Sequence, residues 1–410
     1  MELKNTLWTK NFTIITLGTV VSAIGSVSMN FAGSLLVYDQ SQSTFMAGLF
    51  SALSMLPQVI IPLVAAPWVD RTKRKPLIVG LDAVCGVLYI FLAVYLWKIG
   101  FDYLLYLLFS LVVSCVGAVY QLAYESLYPK LIPEGFSQKG YTVSGMIYPT
   151  VILVMTPVAA ILYKQFGIVS LCAMQGILLL VASAVESQIR VQETTRTTTE
   201  NALRQYVQDV KAAFDYLKKE KGLQRIYAYM PVTNGIGNAN TLLIMAWFQS
   251  PVGLGVELYS LFTAAEFIGR TIGGAVHYKV SIPAKKRFGI SYLVYQFYSV
   301  MDSVLLVLPY PLMLVNRAIC GFLGINSATL RSSAVQNYVP DEMRAKLNAL
   351  FNVCMSLSII VCKLGMGAMG EWLPIPVCVA VMSVVNILVC WYFIGRGKQD
   401  IDPIYHSYQE

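Results

Sequence analysis

Apolar runs separated by short polar loops dominate this chain. Each is close to the length of about 20 residues that a helix needs to cross a bilayer. The first follows Lys10. The others are Phe45 to Val69, Leu77 to Trp97, Tyr103 to Ala123, Tyr141 to Tyr163, Ile168 to Ile189, Gln224 to Phe248, Leu254 to Val276, Phe288 to Leu308, Pro311 to Leu330, Leu347 to Gly370 and Pro376 to Ile394, twelve in all. In hydrocarbon every backbone N–H and C=O must be satisfied internally. Runs this long and continuous do not suit barrel strands, so each is predicted to be a transmembrane helix. The predicted class is an all-α membrane protein with twelve spans.

Composition excludes most other classes. With 56% hydrophobic and only 13% charged residues among 410, the chain does not fit a water-soluble globule. The net charge of +8 sits in short loops without interleaved aromatics, so no nucleic-acid partner is expected. The eight cysteines (Cys85, Cys115, Cys172, Cys320, Cys354, Cys362, Cys378, Cys390) lie in apolar runs without C-x-x-C spacing, which implies neither disulfides nor zinc. His277 and His406 are the only histidines. There is no G-x-S-x-G, no H-E-x-x-H and no phosphate-binding loop. No catalytic residue, metal or cofactor is therefore expected, and no direct use of ATP.

The segment Met1 to Lys10 is polar and the run after it has no small-residue cleavage site, so a retained first span is expected. With both termini in the cytoplasm, Lys98 and Lys164 fall outside, Arg270, Arg317 and Lys363 fall within spans, and every other Lys or Arg is cytoplasmic. Basic residues beside spans are retained on that side, which fixes the orientation. The short loops suit a bacterial inner membrane.

The one long insertion is Arg190 to Gly222. Beyond a Thr-rich opening, Leu203, Tyr206, Val207, Val210, Phe214 and Leu217 share one face at helical spacing, and Thr197 with Glu200 forms a candidate capping box. The segment reads as a cytoplasmic linker helix on the bundle or the lipid interface, or as a partner-binding helix. The domains are then 1–189, a six-span bundle, 190–222, the linker, and 223–410, a second six-span bundle with a short tail.

The two bundles echo each other. Gly117 to Pro133 and Gly324 to Pro340 share their spacing, and each is followed by an acidic residue and a basic loop. Ser22-Ala23-Ile24-Gly25-Ser26 aligns with Asn234-Gly235-Ile236-Gly237-Asn238. Repeats of half a membrane chain point to transport, because alternating access rocks one half against the other about a midplane site.

The densest charge cluster is Ala66-Pro67-Trp68-Val69-Asp70-Arg71-Thr72-Lys73-Arg74-Lys75, between the second and third runs. An acidic group at one helix end beside guanidinium groups can lock helices through charge-assisted hydrogen bonds. This loop resembles G-x-x-x-D-R-x-G-R-R/K of the major facilitator superfamily. Asp70, Arg71, Arg74 and Lys75 fall on its charged positions, and Ala66 and Lys73 replace its glycines. The resemblance implies a twelve-span fold in two six-helix bundles and a cytoplasmic gate at this motif, to which Glu125 or Asp82 can contribute. The loops Pro133-Glu134-Gly135 and Pro340-Asp341-Glu342-Met343-Arg344 look like those of the bacterial drug-efflux branch, which includes macrolide and enterobactin exporters. That likeness implies proton-coupled export of an amphipathic small molecule. The R-x-x-Q-G motif of the fourth span is absent, and the fifth-span antiporter motif is reduced to Thr156-Pro157-Val158-Ala159-Ala160.

Within the spans, Ser22, Ser26 and Asn30 make one polar stripe, and Asn234, Asn238 and Thr241 another. Such stripes either bond neighbouring helices or line a cavity. Ionisable groups in spans cost more and single out Glu266, Arg270, Asp302, Arg317 and Lys363 as candidate coupling or substrate charges. Glu266 and Arg270 stand one turn apart, Asp302 and Arg317 can pair between spans, and Lys363 needs a partner from another helix, with Glu266 the first candidate. The resulting expectation is a monomeric exporter driven by the proton gradient, with a small-molecule substrate and membrane lipids as its partners. A carrier for a polar or anionic metabolite, and a non-transporting sensor or enzyme, stand as alternatives.

Overall fold

The computed structural model describes residues 6–191, 202–279 and 282–406. Thr197 and Glu200 lie outside the described residues, as do the side chains of Asp70, Leu203 and Tyr206. Among the described residues there is no strand. The helices are α1 (Lys10–Ser41), α2 (Thr44–Arg71), α3 (Arg74–Lys98), α4 (Tyr103–Leu131), α5 (Ser137–Glu186), α6 (Ala202–Lys219), α7 (Lys221–Gln249), α8 (Val256–Lys279), α9 (Ala284–Val304), α10 (Tyr310–Tyr338), α11 (Asp341–Trp372), α12 (Ile375–Cys390) and α13 (Lys398–His406).

Local chemistry sets several boundaries. Asp102 caps α4 by accepting from the Leu105 N–H at 2.7 Å. The turn between α2 and α3 is short, and Lys73 sits there with φ −73° and ψ 123°. That is ordinary extended backbone, so the turn closes without the glycine of the family motif. α5 covers two of the expected runs and bends at Gly167, where φ 70° and ψ −177° define a region almost confined to glycine.

Among the described residues nine helices are long and apolar enough to cross a membrane, namely α1 to α5 and α9 to α12. α7 and α8 are not in that set. Their polar content explains it, since α7 carries Asn234, Asn238 and Asn240 and α8 carries Glu257, Glu266 and Arg270. Both helices contribute to the lining of the cavity described below.

The chain divides into two compact units, Met1–Gln40 with Leu53–Arg204, and Ser41–Ala52 with Gln205–Glu410. In the first, α3 packs on α4 and α5. Phe12, Ile15, Ile78, Leu127 and Ile189 form one buried cluster, beside a ladder in which Tyr124 stacks on Tyr120 and Tyr128 at centroid distances of 6.0 and 5.4 Å.

In the second unit α8 packs on α10, α7 on α11, and α9 on α12. α8 and α10 approach so closely that a Cβ at Gly269 would stand 2.0 Å from the Ala318 carbonyl oxygen, and one at Gly321 2.1 Å from that of Glu266. Only glycine permits this spacing.

The linker helix and the tail close one end of this unit. Ala213 and Leu217 of α6 join Leu223, Ile226, Ile401, Ile404 and Tyr405 in one core. Lys346 meets Asp209 at 3.2 Å and Arg225 meets Asp400 at 3.0 Å. Val207 and Phe214, expected on the apolar face, are exposed. Of that face Leu217 is buried and Val210 partly buried, with Ala213 buried beside them, and the Phe214 ring receives the Lys218 ammonium at 4.8 Å. Burial pushes the Tyr405 hydroxyl well above the ordinary phenol range.

Candidate functional site

A polar cavity of about 440 Å³ opens inside the second unit, between α7, α8, α9, α10 and α12. The α7 stripe forms one wall, with Asn234, Asn238 and Thr241 all on the lining. Each bonds back to its own helix. The Asn234 amide donates to the Met230 carbonyl at 2.9 Å, that of Asn238 to Asn234 at 2.9 Å, and the Thr241 hydroxyl to Gly237 at 3.0 Å. This back-bonding satisfies a donor of each side chain within the helix.

The opposite walls are charged. Arg270 Nη2 donates to Glu266 Oε1 at 2.7 Å within α8. The pair is partly open, with the arginine side chain 52% exposed and the glutamate 22%. Arg317 of α10 donates to Asp302 of α9, and this pair is almost wholly buried, at 5% and 8%. The Arg317 guanidinium lies over the Phe262 and Tyr298 rings at 5.2 and 5.9 Å. Glu266, Arg270, Asp302 and Arg317 all line the cavity, which the close approach of α8 and α10 at Gly269 and Gly321 makes possible.

Lys363 stands elsewhere in the same unit. Its ammonium donates at 2.6 Å to the Ser51 hydroxyl, on the segment of α2 that clusters with this unit. Glu266, the partner first considered for it, takes Arg270 instead.

In the first unit, Ser22 is buried and donates to Asp82 of α3 at 3.3 Å, and Ser26 accepts from Gln175 of α5 at 3.4 Å. Asn30 is exposed. Within the motif loop, Arg71 ends α2 and Arg74, buried, opens α3 beside Lys75. Glu125 accepts from Gln121 at 2.7 Å.

Several polar groups were not picked out from the sequence. Asn240 donates to Asp302 at 3.4 Å. Asn386 of α12 donates to Thr233 at 3.0 Å and Ser299 at 2.8 Å. Arg331 lines the cavity one residue past the apolar run that ends at Leu330. Glu186 is fully buried, accepts from the Tyr120 hydroxyl at 3.3 Å, and leaves Oε2 with no hydrogen-bond partner. A lone Asn or Glu inside an apolar run is the signal that would have found Asn386 and Glu186, because lipid does not tolerate either without a partner or a task.

The model of the Major Facilitator Superfamily matches residues 15–301. Macrolide efflux protein A of Streptococcus pyogenes is 22% identical over 279 residues, covering 65% of this chain and 67% of that protein. Among solved structures, the nucleoside transporter NupG superposes with a TM-score of 0.68 at 12% identity over 95% of this chain and all of its own. A bacterial homolog of the human lysosomal transporter Spinster, solved inward-facing, gives 0.66 at 12% identity over 97% and 96% of the two chains. Helical architecture, apolar spans and these matches agree: the chain is a multi-pass membrane transporter, not an enzyme, and belongs to the major facilitator superfamily.

Proposed function

We propose that this transporter exports an amphipathic small molecule in exchange for protons, by alternating access of two six-helix halves, 1–189 and 223–410, joined by the linker 190–222. The observation that carries the reading is the cavity of the second unit, where an asparagine and threonine stripe faces two ion pairs of unequal burial. The half-open pair Glu266–Arg270 is the one a substrate or proton can reach. The resemblance to a macrolide efflux protein supports export of a large amphipathic compound. Asp82 and Glu186, buried carboxyl groups with hydroxyl partners, support the involvement of protons.

In this mechanism the Asp70, Arg71, Arg74 and Lys75 cluster clamps the cytoplasmic side while the outer side is open. Proton binding at an embedded carboxylate biases the two states by its differential affinity for them. The protein acts as a monomer in the inner membrane with both termini in the cytoplasm.

A second reading is favoured by a specific feature. Three guanidinium groups (Arg270, Arg317, Arg331) line the cavity against two carboxylates (Glu266, Asp302), an excess that suits a polar or anionic metabolite. Proteoliposomes with an imposed pH gradient distinguish the two. Gradient-dependent flux of macrolides and lipophilic cations is the expected result, whereas flux of small carboxylates alone replaces export by metabolite carriage.

A further inference from the structure

Away from the transport cavity, a second hollow of about 360 Å³ lies where α9, the wide turn Trp391–Gly395 and α13 meet. Lys285, Gly289, Tyr292, Leu293, Lys398 and Asp402 are on its lining. One wall is a pair of parallel rings, Phe288 and Tyr292, at 6.3 Å. Another is missing by design of the sequence: a Cβ at Gly289 would meet nothing within 4 Å, so this glycine leaves the hollow open.

The charges are unbalanced. Lys285 and Lys398, both exposed, face one carboxylate, Asp402, whose other neighbour is His406 at 3.7 Å. Arg396, next in the chain to the lining residue Gly395, is held over the Trp391 and Tyr392 rings at 5.6 and 5.8 Å.

Next to these charges the surface is apolar and uncovered. Leu293 is 67% exposed and Leu388 58%, and Trp391 and Tyr392 are also exposed. α9 and α12 pack together, and exposed Phe297 and Val300 on one and Val381 and Val384 on the other continue the apolar surface. In a membrane protein that surface is covered by acyl chains, and aromatic residues at its edge mark the headgroup level. A soluble anion would satisfy the lysines and leave the apolar wall bare. A basic hollow between helix ends with an apolar groove leading from it matches a phospholipid.

We propose that this hollow binds the headgroup of an anionic phospholipid, with its phosphodiester at Lys285 and Lys398, its hydroxyl groups donating to Asp402, and its acyl chains along the groove between α9 and α12. The site would tether the tail helix α13 to the bilayer surface.

The test uses full-length protein in detergent, titrated with palmitoyl-oleoyl phosphatidylglycerol, the matching phosphatidylcholine, or inorganic phosphate. Native mass spectrometry reads retained lipid and thermal unfolding reads the midpoint. Phosphatidylglycerol should be retained and raise the midpoint, and the other two should not. K285Q/K398Q, which alters only exposed side chains, should weaken binding by about fivefold per lysine. G289W should fill the hollow and abolish retention. Equal response to phosphatidylcholine, a response to inorganic phosphate alone, or wild-type lipid retention by K285Q/K398Q would overturn the proposal.

Discussion

Arg317 of α10 and Asp302 of α9 form a buried ion pair that aromatic rings and a third helix complete, with Asn240 of α7 donating to the same carboxylate at 3.4 Å. Removing one member of such a pair leaves an uncompensated charge in a low-dielectric interior, whereas removing both does not. D302A and R317A should each lower stability by about 3–5 kcal/mol, and D302L/R317M should recover most of the loss. Thermal unfolding in detergent measures all three. A double variant no better than the singles would show that the pair's value lies in its hydrogen bonds to the surroundings.

The half-open pair predicts a different outcome. Glu266 and Arg270 are exposed enough that E266Q should fold normally. If protons are exchanged at Glu266, this variant transports with a flattened pH dependence. An unchanged profile in E266Q with a flattened one in E186Q moves the proton site to Glu186, one of the two buried carboxyl groups of the first unit.

Backbone contact between α8 and α10 gives a prediction independent of charge. A Cβ at Gly321 would press on the Glu266 carbonyl oxygen at 2.1 Å, whereas one at Gly274 would meet nothing within 4 Å. G321V should force the helices apart, costing about 1–3 kcal/mol or more, and G274A should be neutral or slightly stabilising. The folded yield after size exclusion, with the two melting curves, separates them.

How much of this was legible beforehand follows from the physics of each feature. The helices and their order follow from run length and hydropathy, which lipid makes almost decisive. The polar stripe of α7 was visible because it is periodic along one helix. Asn386 was not, because its partners Thr233 and Ser299 are 153 and 87 residues away in the chain, and a single Asn has no period. The same holds for Glu186 and Tyr120, 66 residues apart. For Lys363 the sequence suggested a need for a partner but gave no bearing on which. Pairing depends on how each helix is rotated about its axis, and glycine contacts such as that of Gly48 with the Lys363 carbonyl oxygen, where a Cβ would stand at 2.6 Å, set that rotation.

The motif loop carries the gating prediction. If Asp70 anchors the cytoplasmic clamp, D70N loses one charge-assisted hydrogen bond, about 1.5–3 kcal/mol, and transport should fall about tenfold or more with membrane insertion unchanged. Protease protection of the loops checks insertion, and proteoliposome flux checks activity. Normal turnover would remove the clamp from the mechanism.

The wide turn at Trp391–Gly395, closed by the Arg396 N–H to the Trp391 carbonyl at 2.9 Å, amounts to one surplus residue at the end of α12, just before the turn that leads into α13. Each residue of an α-helix advances the azimuth by about 100°, so the surplus acts as a phase shifter. Deleting a single codon there would regularise the helix and swing every tail side chain by that angle, carrying Asp400 off Arg225 and Tyr405 out of its core. The smallest possible lesion would thus uncouple the tail while leaving every one of its own residues intact.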